Sequence, residues 1–297
     1  MNLKYLVDEA SSGKNVKQIL KSKLNLSERL VKRLKYSGKV FCNGNSVYVN
    51  KVVSEGDLIE VAIDFVEDSY EVVPENIHID ILYEDDSLIA VDKKQGMVVH
   101  PTCSHQSGTI ANALMHHLRK NGVQLKIRPV SRLDRDTSGV IIFAKNQYIQ
   151  QSLINQMSDK SFVKEYIGIV HGEVRPAKDT INLPIARKPG SIMLRHVSPD
   201  GAPSVTHYET LERLENATLL KFKLETGRTH QIRVHCKEIG HPLLGDTLYS
   251  DFHTDLISRQ ALHSVKSKFT HPITGKPLEI VSPIPSDICF ALEILKK

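Results

Sequence analysis

Residues 130–139 read VSRLDRDTSG. One carboxylate, Asp134, stands between Arg132 and Arg135, and Thr137 and Ser138 follow it. Nearby positive charge favours the ionised form of a carboxyl group. An ionised aspartate that faces a cleft is a nucleophile or a base. Set in an exposed turn, the same residues make only a surface salt bridge, stiffened by the two hydroxyls. A second dense run is LETGRTHQIRVHCKEIGHPLLGDTLY, residues 224–249. It places Arg228, His230, Gln231, Arg233 and His235 within eight positions. Read as a strand, it puts Arg233 on one face with Gln231 and His235. A buried arginine calls for an anionic partner, and Asp134 is the most economical one. As a ladder of exposed polar side chains, the run carries no chemistry.

Other site types find no support. There is no P-loop, no dinucleotide fingerprint and no GxSxG elbow. His230 and His235, five apart, fall on opposite faces of a strand and too far round a helix to share a metal, so no metal is expected. Cys103 lies between His100 and His105, but neighbours in sequence are not thereby catalytic partners. The four cysteines (Cys42, Cys103, Cys236, Cys289) form no CxxC pair, which argues against a zinc ribbon or a disulfide framework. Reduced thiols are then the expectation. MNLKYLVDEA lacks the apolar core of a signal peptide. No apolar run reaches the roughly 18 residues of a membrane span. A cytoplasmic monomer is expected.

The elements that must position these residues show two units. The formal net charge of the 297 residues is only +5. Residues 14–39, however, carry nine Lys or Arg against the single acid Glu28. Such a patch on a nearly neutral body points to a polyanion, unless it is simply a solvated helix face. Val16, Ile19, Leu20 and Leu24 recur at helical spacing, with Lys14, Lys17 and Lys21 on another face. Ser27 suits the N-cap of a second helix that turns Leu30, Val31 and Leu34 inward, and Gly38 suits its stop. KVFCNG and SVYVN then read as a hairpin about an Asn43-Gly44 turn. Residues 64–86 invert the charge, with nine acids and no Lys or Arg. We place a compact basic unit at residues 1–63, an acidic linker at 64–75 and a main domain at 76–297. In the main domain, runs such as SLIAVDK, GVIIFAK, EYIGIVHG, SVTHYETLERL and TLLKFKLET mix with helical GTIANALMHHL and IQQSLINQM. The order is irregular, so an α+β class with a mixed, mainly antiparallel sheet is expected rather than a doubly wound one.

Five motifs now fall in register. SRLDRDTSGVIIFAK resembles the HRLDxxTSG signature of the RluA-type pseudouridine synthases. VDKKQGMVVHPT is similar to their KPxGxxVHP, and KEYIGIVHG to their KxYxAxVxG. TGRTHQIRVH…IGHPLLGDTLY and RQALHSVKSKFTHPITGKPL resemble their last two blocks. The resemblance spans residues from about 80 to 285. The N-terminal unit resembles the S4-like (alpha-L) RNA-binding module.

The resemblance implies an isomerase that converts uridine in RNA to pseudouridine, without metal or organic cofactor. It implies that Asp134 is the essential carboxylate, that Tyr166 contacts the target base, and that Arg233 pairs with the aspartate. It also implies that Arg132 fills the space left by a flipped-out nucleotide. Substrate contacts are further expected from Arg135, Thr137, Arg228 and His230, and from Lys14, Lys17, Lys21, Arg29, Lys32 and Arg33 in the N-terminal unit. Ribosomal RNA of the large subunit is the expected substrate; transfer RNA, or a silent RNA-binding protein, are the alternatives. A glycoside or nucleoside hydrolase would call for a second carboxylate, and Asp136 is the only close one. The chain departs from the family pattern at Ser131 (usually His), Gly168 (often Ala), Thr102 and Ser250.

Overall fold

The computed structural model describes residues 2–63, 72–103 and 105–296. The N-terminal unit comprises β1 (Asn2–Leu6), α1 (Val16–Ser22), α2 (Glu28–Lys35), β2 (Val40–Cys42), β3 (Asn45–Ser46) and β4 (Leu58–Ala62). Its sheet runs β1-β4-β2-β3. Both helices form as their caps and spacing dictate. Asn15 and Gln18 make a reciprocal capping box on α1, and Ser27 accepts from the Leu30 amide on α2. Val16, Ile19, Leu20, Leu30, Val31 and Leu34 build one core with Val40, Ile59 and Val61. Asn43 and Gly44 both take positive φ, as a two-residue hairpin requires.

The second hairpin strand is shorter than SVYVN suggests. It stops at Ser46, because the backbone then turns to cap α1: the carbonyls of Val49 and Lys51 accept from the Lys17 and Val16 amides at 2.7 and 2.9 Å. Strand β1 has no clear signal in the sequence. The greater part of the acidic stretch 64–75 lies outside the described residues. Its end does not float: Val72 is buried, the Val73 carbonyl accepts from Asn112, and Glu75 accepts from the Gly108 amide.

The main sheet is mixed and mainly antiparallel, and the class is α+β. It is formed by β5 (Asp80–Glu84), β6 (Leu88–Lys93), β7 (Arg128–Pro129), β8 (Ser138–Ala144), β9 (Val163–His171), β10 (Lys178–Asn182), β13 (Val205–Leu214), β14 (Ala217–Leu224), β15 (Leu262–Thr270) and β16 (Pro277–Val281). The order is β10-β13-β14-β9-β15-β8-β6-β5, with β16 on β15 and β7 on β8. Among the described residues only the β8–β15 pair is parallel. A separate hairpin, β11 (Ile185–Arg187) and β12 (Arg195–Val197), packs on α5 (Gln231–Glu238).

Strands β6 and β8 are buried along their whole length, so both faces must be covered. The pleat assigns the covers. Ile89, Val91, Ile141 and Phe143 meet Ile110, Leu114 and Leu118 of α3 (Ile110–Lys120). Leu88, Ala90, Val140 and Ile142 meet Ile149 and Leu153 of α4 (Gln147–Ser158). Helix α6 (Ser286–Leu295) buries Ile288 and Ala291 on a third cluster. Tyr148 packs against both the N-terminal core and the cluster beneath α4. Among the described residues no helix is long and apolar enough to cross a membrane.

Two glycines show how tightly the centre is built. Gly139 has φ +109°, and a Cβ there would stand 2.2 Å from the Ser264 carbonyl oxygen. Only a glycine lets β8 approach β15 this closely. At Gly168, a Cβ would meet Leu243, Ala261 and Phe222 at 2.9–3.1 Å. That accounts for glycine where Ala is common: Leu243 and Phe222 occupy the space the methyl would need.

Candidate active site

The loop of residues 130–137 joins β7 to β8 and carries Asp134 to the floor of a cleft of about 310 Å³. The Thr137 amide donates to the Asp134 carbonyl and closes the turn. Two buried cations hold the loop from behind. Lys93, at the end of β6, donates to the carbonyls of Lys94, Met97 and Arg135 at 2.9, 2.8 and 2.6 Å. Arg259 donates to the Asp136 carbonyl at 3.0 Å and pairs with both oxygens of Asp287. Backbone carbonyls anchored by buried cations cannot drift, because a released cation would be left buried without partners.

Three distant segments meet at the carboxylate. Asp134 comes from the loop, Tyr166 from the middle of β9, and Arg233 from α5. The Asp134 side chain keeps 19% of its surface exposed, so it is open to the cleft. Arg233 Nη1 lies 3.6 Å from Asp134 Oδ2. That contact is secondary. The main partner of Arg233 is Asp246, through Nε and Nη2 at 2.7 Å each, fully buried. The expected approach of Arg233 to Asp134 is present, and Asp246 is the closer partner. One guanidinium serves two carboxylates, so Asp134 is steadied but keeps much of its negative character. Asp246 is itself fixed by the amides of Leu248 and Tyr249, and the Arg233 guanidinium sits over the Tyr249 ring at 5.1 Å.

The strand reading of HQIRVH is corrected: residues Gln231–Glu238 form α5. Gln231 fixes its start, donating to the Val205 carbonyl and Thr206 Oγ1 while accepting from Thr226 Oγ1 and the Arg228 amide. On a helix Gln231 and His235 share one face, and both reach Thr206. His235 uses its second ring nitrogen on the Leu183 carbonyl, which leaves it no lone pair for a metal. Arg233, two residues on from Gln231, points elsewhere, toward Asp134 and Asp246.

His230 caps α5 with φ +59°, an uncommon backbone for a non-glycine residue. Its Nδ1 lies 2.8 Å from the Tyr249 hydroxyl and its Nε2 4.0 Å from Asp134. Burial pushes the imidazole down from its ordinary value, against the pull of Asp134. The Tyr249 hydroxyl accepts from the Arg195 amide, so its own proton is free to go to Nδ1. The proton of a neutral His230 then sits on Nε2 and faces the carboxylate. Tyr166 is buried, and burial together with the charge of Asp134 holds its phenol well above the usual range. In the free protein it is a neutral ring with a hydroxyl, not a base.

Among the other expected residues, Arg132, Thr137, Arg228 and His230 line the same cleft. Arg132 is exposed there, with no ion-pair partner among the described residues. Thr137 is buried, with its hydroxyl 3.3 Å from Gln260 Nε2. Arg228 reaches the Pro203 carbonyl. Arg135 does not belong to this group. Its side chain turns to solvent and pairs with Asp136, its neighbour, because its carbonyl is held inward by Lys93. Lys14, Lys17, Lys21, Arg29, Lys32 and Arg33 all lie in the N-terminal unit, outside this cleft. Lys17 and Lys21 share Glu28.

Sequence reasoning missed Asp246, Lys93 and Arg259. All three stand inside the motif blocks, but nothing local marks them as buried and paired. Burial depresses the Lys93 ammonium to about 7, against 10.5 ordinarily. The folded protein therefore binds fewer protons than the unfolded one between those values, and its stability rises with pH there. Urea titrations of wild type and Lys93→Met should diverge in favour of the wild type as pH rises from 7 to 10. A constant difference would place the lysine in contact with solvent.

Comparison with known proteins identifies the family and the fold. The family model for RNA pseudouridylate synthase matches residues 87–238. The Bacillus subtilis (strain 168) protein described as uncharacterized RNA pseudouridine synthase YhcT is 38% identical over 288 residues, 96% of this chain and 95% of that one. Ribosomal large subunit pseudouridine synthase D of Pasteurella multocida is 37% identical over 271 residues, 86% of this chain and 83% of that protein. The solved structure of human RNA pseudouridylate synthase domain containing 4 has the same fold. It superposes with a TM-score of 0.60 at 21% identity, covering 73% of this chain and 92% of its own.

Proposed function

For a chain that belongs to the RNA pseudouridylate synthase family, we propose that Asp134 carries the isomerisation of a uridine in large-subunit ribosomal RNA. The protein is an RNA pseudouridine synthase. Its reaction breaks the N1–C1′ glycosidic bond, turns the uracil, joins C5 to C1′ and releases the C5 proton. The supporting observation is one cleft in which Asp134, Tyr166 and Arg233 converge from three separate segments. The target nucleotide is extruded from its helix or stack before the bond can be reached. Tyr166 offers its ring to the uracil face. Arg132, exposed and unpaired, stacks its planar cation where the base had been. Arg233, locked by Asp246, orients the Asp134 carboxylate toward the sugar and base. His230 Nε2 lies 4.0 Å from the other oxygen of the same carboxylate, within electrostatic reach but beyond a hydrogen bond. Tyr166, whose phenol burial keeps neutral, contributes its ring and hydroxyl rather than a base, and the C5 proton leaves to water.

In this reading residues 1–63 are an S4-like RNA-binding unit, joined through residues 64–75 to a catalytic domain at 76–297. The protein works as a cytoplasmic monomer without a cofactor. The substrate rests on the names of relatives such as the Pasteurella multocida enzyme and on the basic N-terminal unit. Tritium release from C5-labelled RNA tests it: release from large-subunit ribosomal RNA and not from transfer RNA is expected, and the reverse selectivity would assign the enzyme to transfer RNA. Deleting residues 1–62 should weaken RNA binding and flatten its salt dependence, by about 0.7–0.9 in log–log slope for each phosphate that is no longer neutralised. An unchanged slope would show that the basic patch faces away from RNA.

A further inference from the structure

The N-terminal unit holds a second groove, of about 530 Å³, remote in chain and composition from the Asp134 cleft. Its floor is apolar, made by Val31 of α2 and Val49. One wall is the C-terminal turn of α2 with Lys32, Lys35 and Tyr36; the other is the turn at residues 48–51 and the start of α1 with Lys17. Tyr36 and Tyr48 stand at the rim and are 76% and 78% exposed. Two tyrosines with most of their surface in water gain nothing from the fold, since neither belongs to the hydrophobic core. The groove carries three lysines against one carboxylate, Glu28, which is already shared by Lys17 and Lys21. Lys32 and Lys35 have no carboxylate partner among the described residues, and the Lys35 ammonium sits over the Tyr36 ring at 5.3 Å.

We propose that this groove takes an unpaired RNA base, stacked on Tyr36 and Tyr48, with Lys32 and Lys35 on the flanking phosphates. The inference rests on the RNA reading of the N-terminal unit and adds what that unit recognises. Flat exposed rings beside cations that no carboxylate neutralises suit a single strand, whose bases present their faces; a duplex hides those faces and offers only phosphates. A protein partner bearing only acidic side chains would use the lysines and leave the two rings without a function.

The test measures binding by fluorescence polarisation to a labelled single strand of about 12 nucleotides and to a duplex of equal charge. The protein is the full chain. Tyr36→Ala with Tyr48→Ala should weaken the single-strand complex about 10- to 100-fold, leave its salt slope in place, and barely change duplex binding. Tyr36→Phe with Tyr48→Phe should bind as wild type, because the ring and not the hydroxyl is used. Lys32→Ala with Lys35→Ala should lower the salt slope by about 1.4. Unchanged affinity in the double alanine variant, or equal loss on both RNAs, would overturn the proposal, as would full competition by an acidic peptide that persists in that variant. Tritium release measured in parallel keeps the two readings apart. Failure of the wild type to release tritium strikes the ribosomal substrate, whereas normal release with unaltered single-strand affinity in the variant strikes the groove alone.

Discussion

Asp134→Asn is expected to lower turnover by about 10⁴-fold or more, the scale seen when a reacting side chain is removed from an otherwise intact site. The exchange keeps the shape of the side chain and removes its charge. Arg233 stays bound to Asp246, so the floor of the cleft keeps its geometry. Lys93 and Arg259 grip the loop through the carbonyls of Arg135 and Asp136, which the substitution does not touch. RNA affinity should therefore stay within a few-fold of wild type while tritium release disappears. Turnover near the wild-type rate would refute the role given to this carboxylate. The other acid lining the cleft, Glu225, is held by Lys160 and His207, and Asp136 is engaged by Arg135 and does not line the cleft.

Arg233→Ala is expected to damage both stability and activity, and a second substitution separates the two. Without Arg233, Asp246 is a buried charge held only by two backbone amides. Breaking a buried pair in this way costs about 3–5 kcal/mol. Arg233→Met combined with Asp246→Asn removes both charges and keeps an oxygen to accept from the Leu248 and Tyr249 amides. This double variant should recover most of the lost stability, because neutral replacements for buried pairs are often well tolerated. It should not recover activity, since Asp134 has lost its orienting cation; a deficit of about 10²–10³-fold in kcat is expected. Urea unfolding and tritium release read the two effects separately. A double variant that is both stable and fully active would show that the 3.6 Å approach to Asp134 is incidental.

Local chemistry makes much of this protein legible in its sequence. The caps at Asn15 and Ser27, the Asn43-Gly44 turn and the apolar runs of β6 and β8 follow from spacing and residue type alone. They form wherever such segments are placed, because their partners lie within a few residues or their burial is written in the run itself. The basic character of the N-terminal unit and the candidacy of Asp134 are legible for the same reason. The run through Arg233 is not. HQIRVH alternates well enough for a strand, yet it folds as a helix, because Gln231 is held by the Val205 carbonyl and Thr206 hydroxyl at the start of β13, partners that no neighbour in sequence reveals. The pairing of Arg233 escapes on the same ground. Asp246 lies one helix and one loop further along the chain, and only the packing of α5 decides which carboxylate it meets first. Arg135 shows the converse. By sequence it is nearer to Asp134 than Arg132 is, but a buried lysine from β6 holds its carbonyl and turns its side chain to water. Sequence determines which groups are present and which short elements carry them. Which charges face each other depends on strand order and helix docking, and these are set by burial summed over the whole domain.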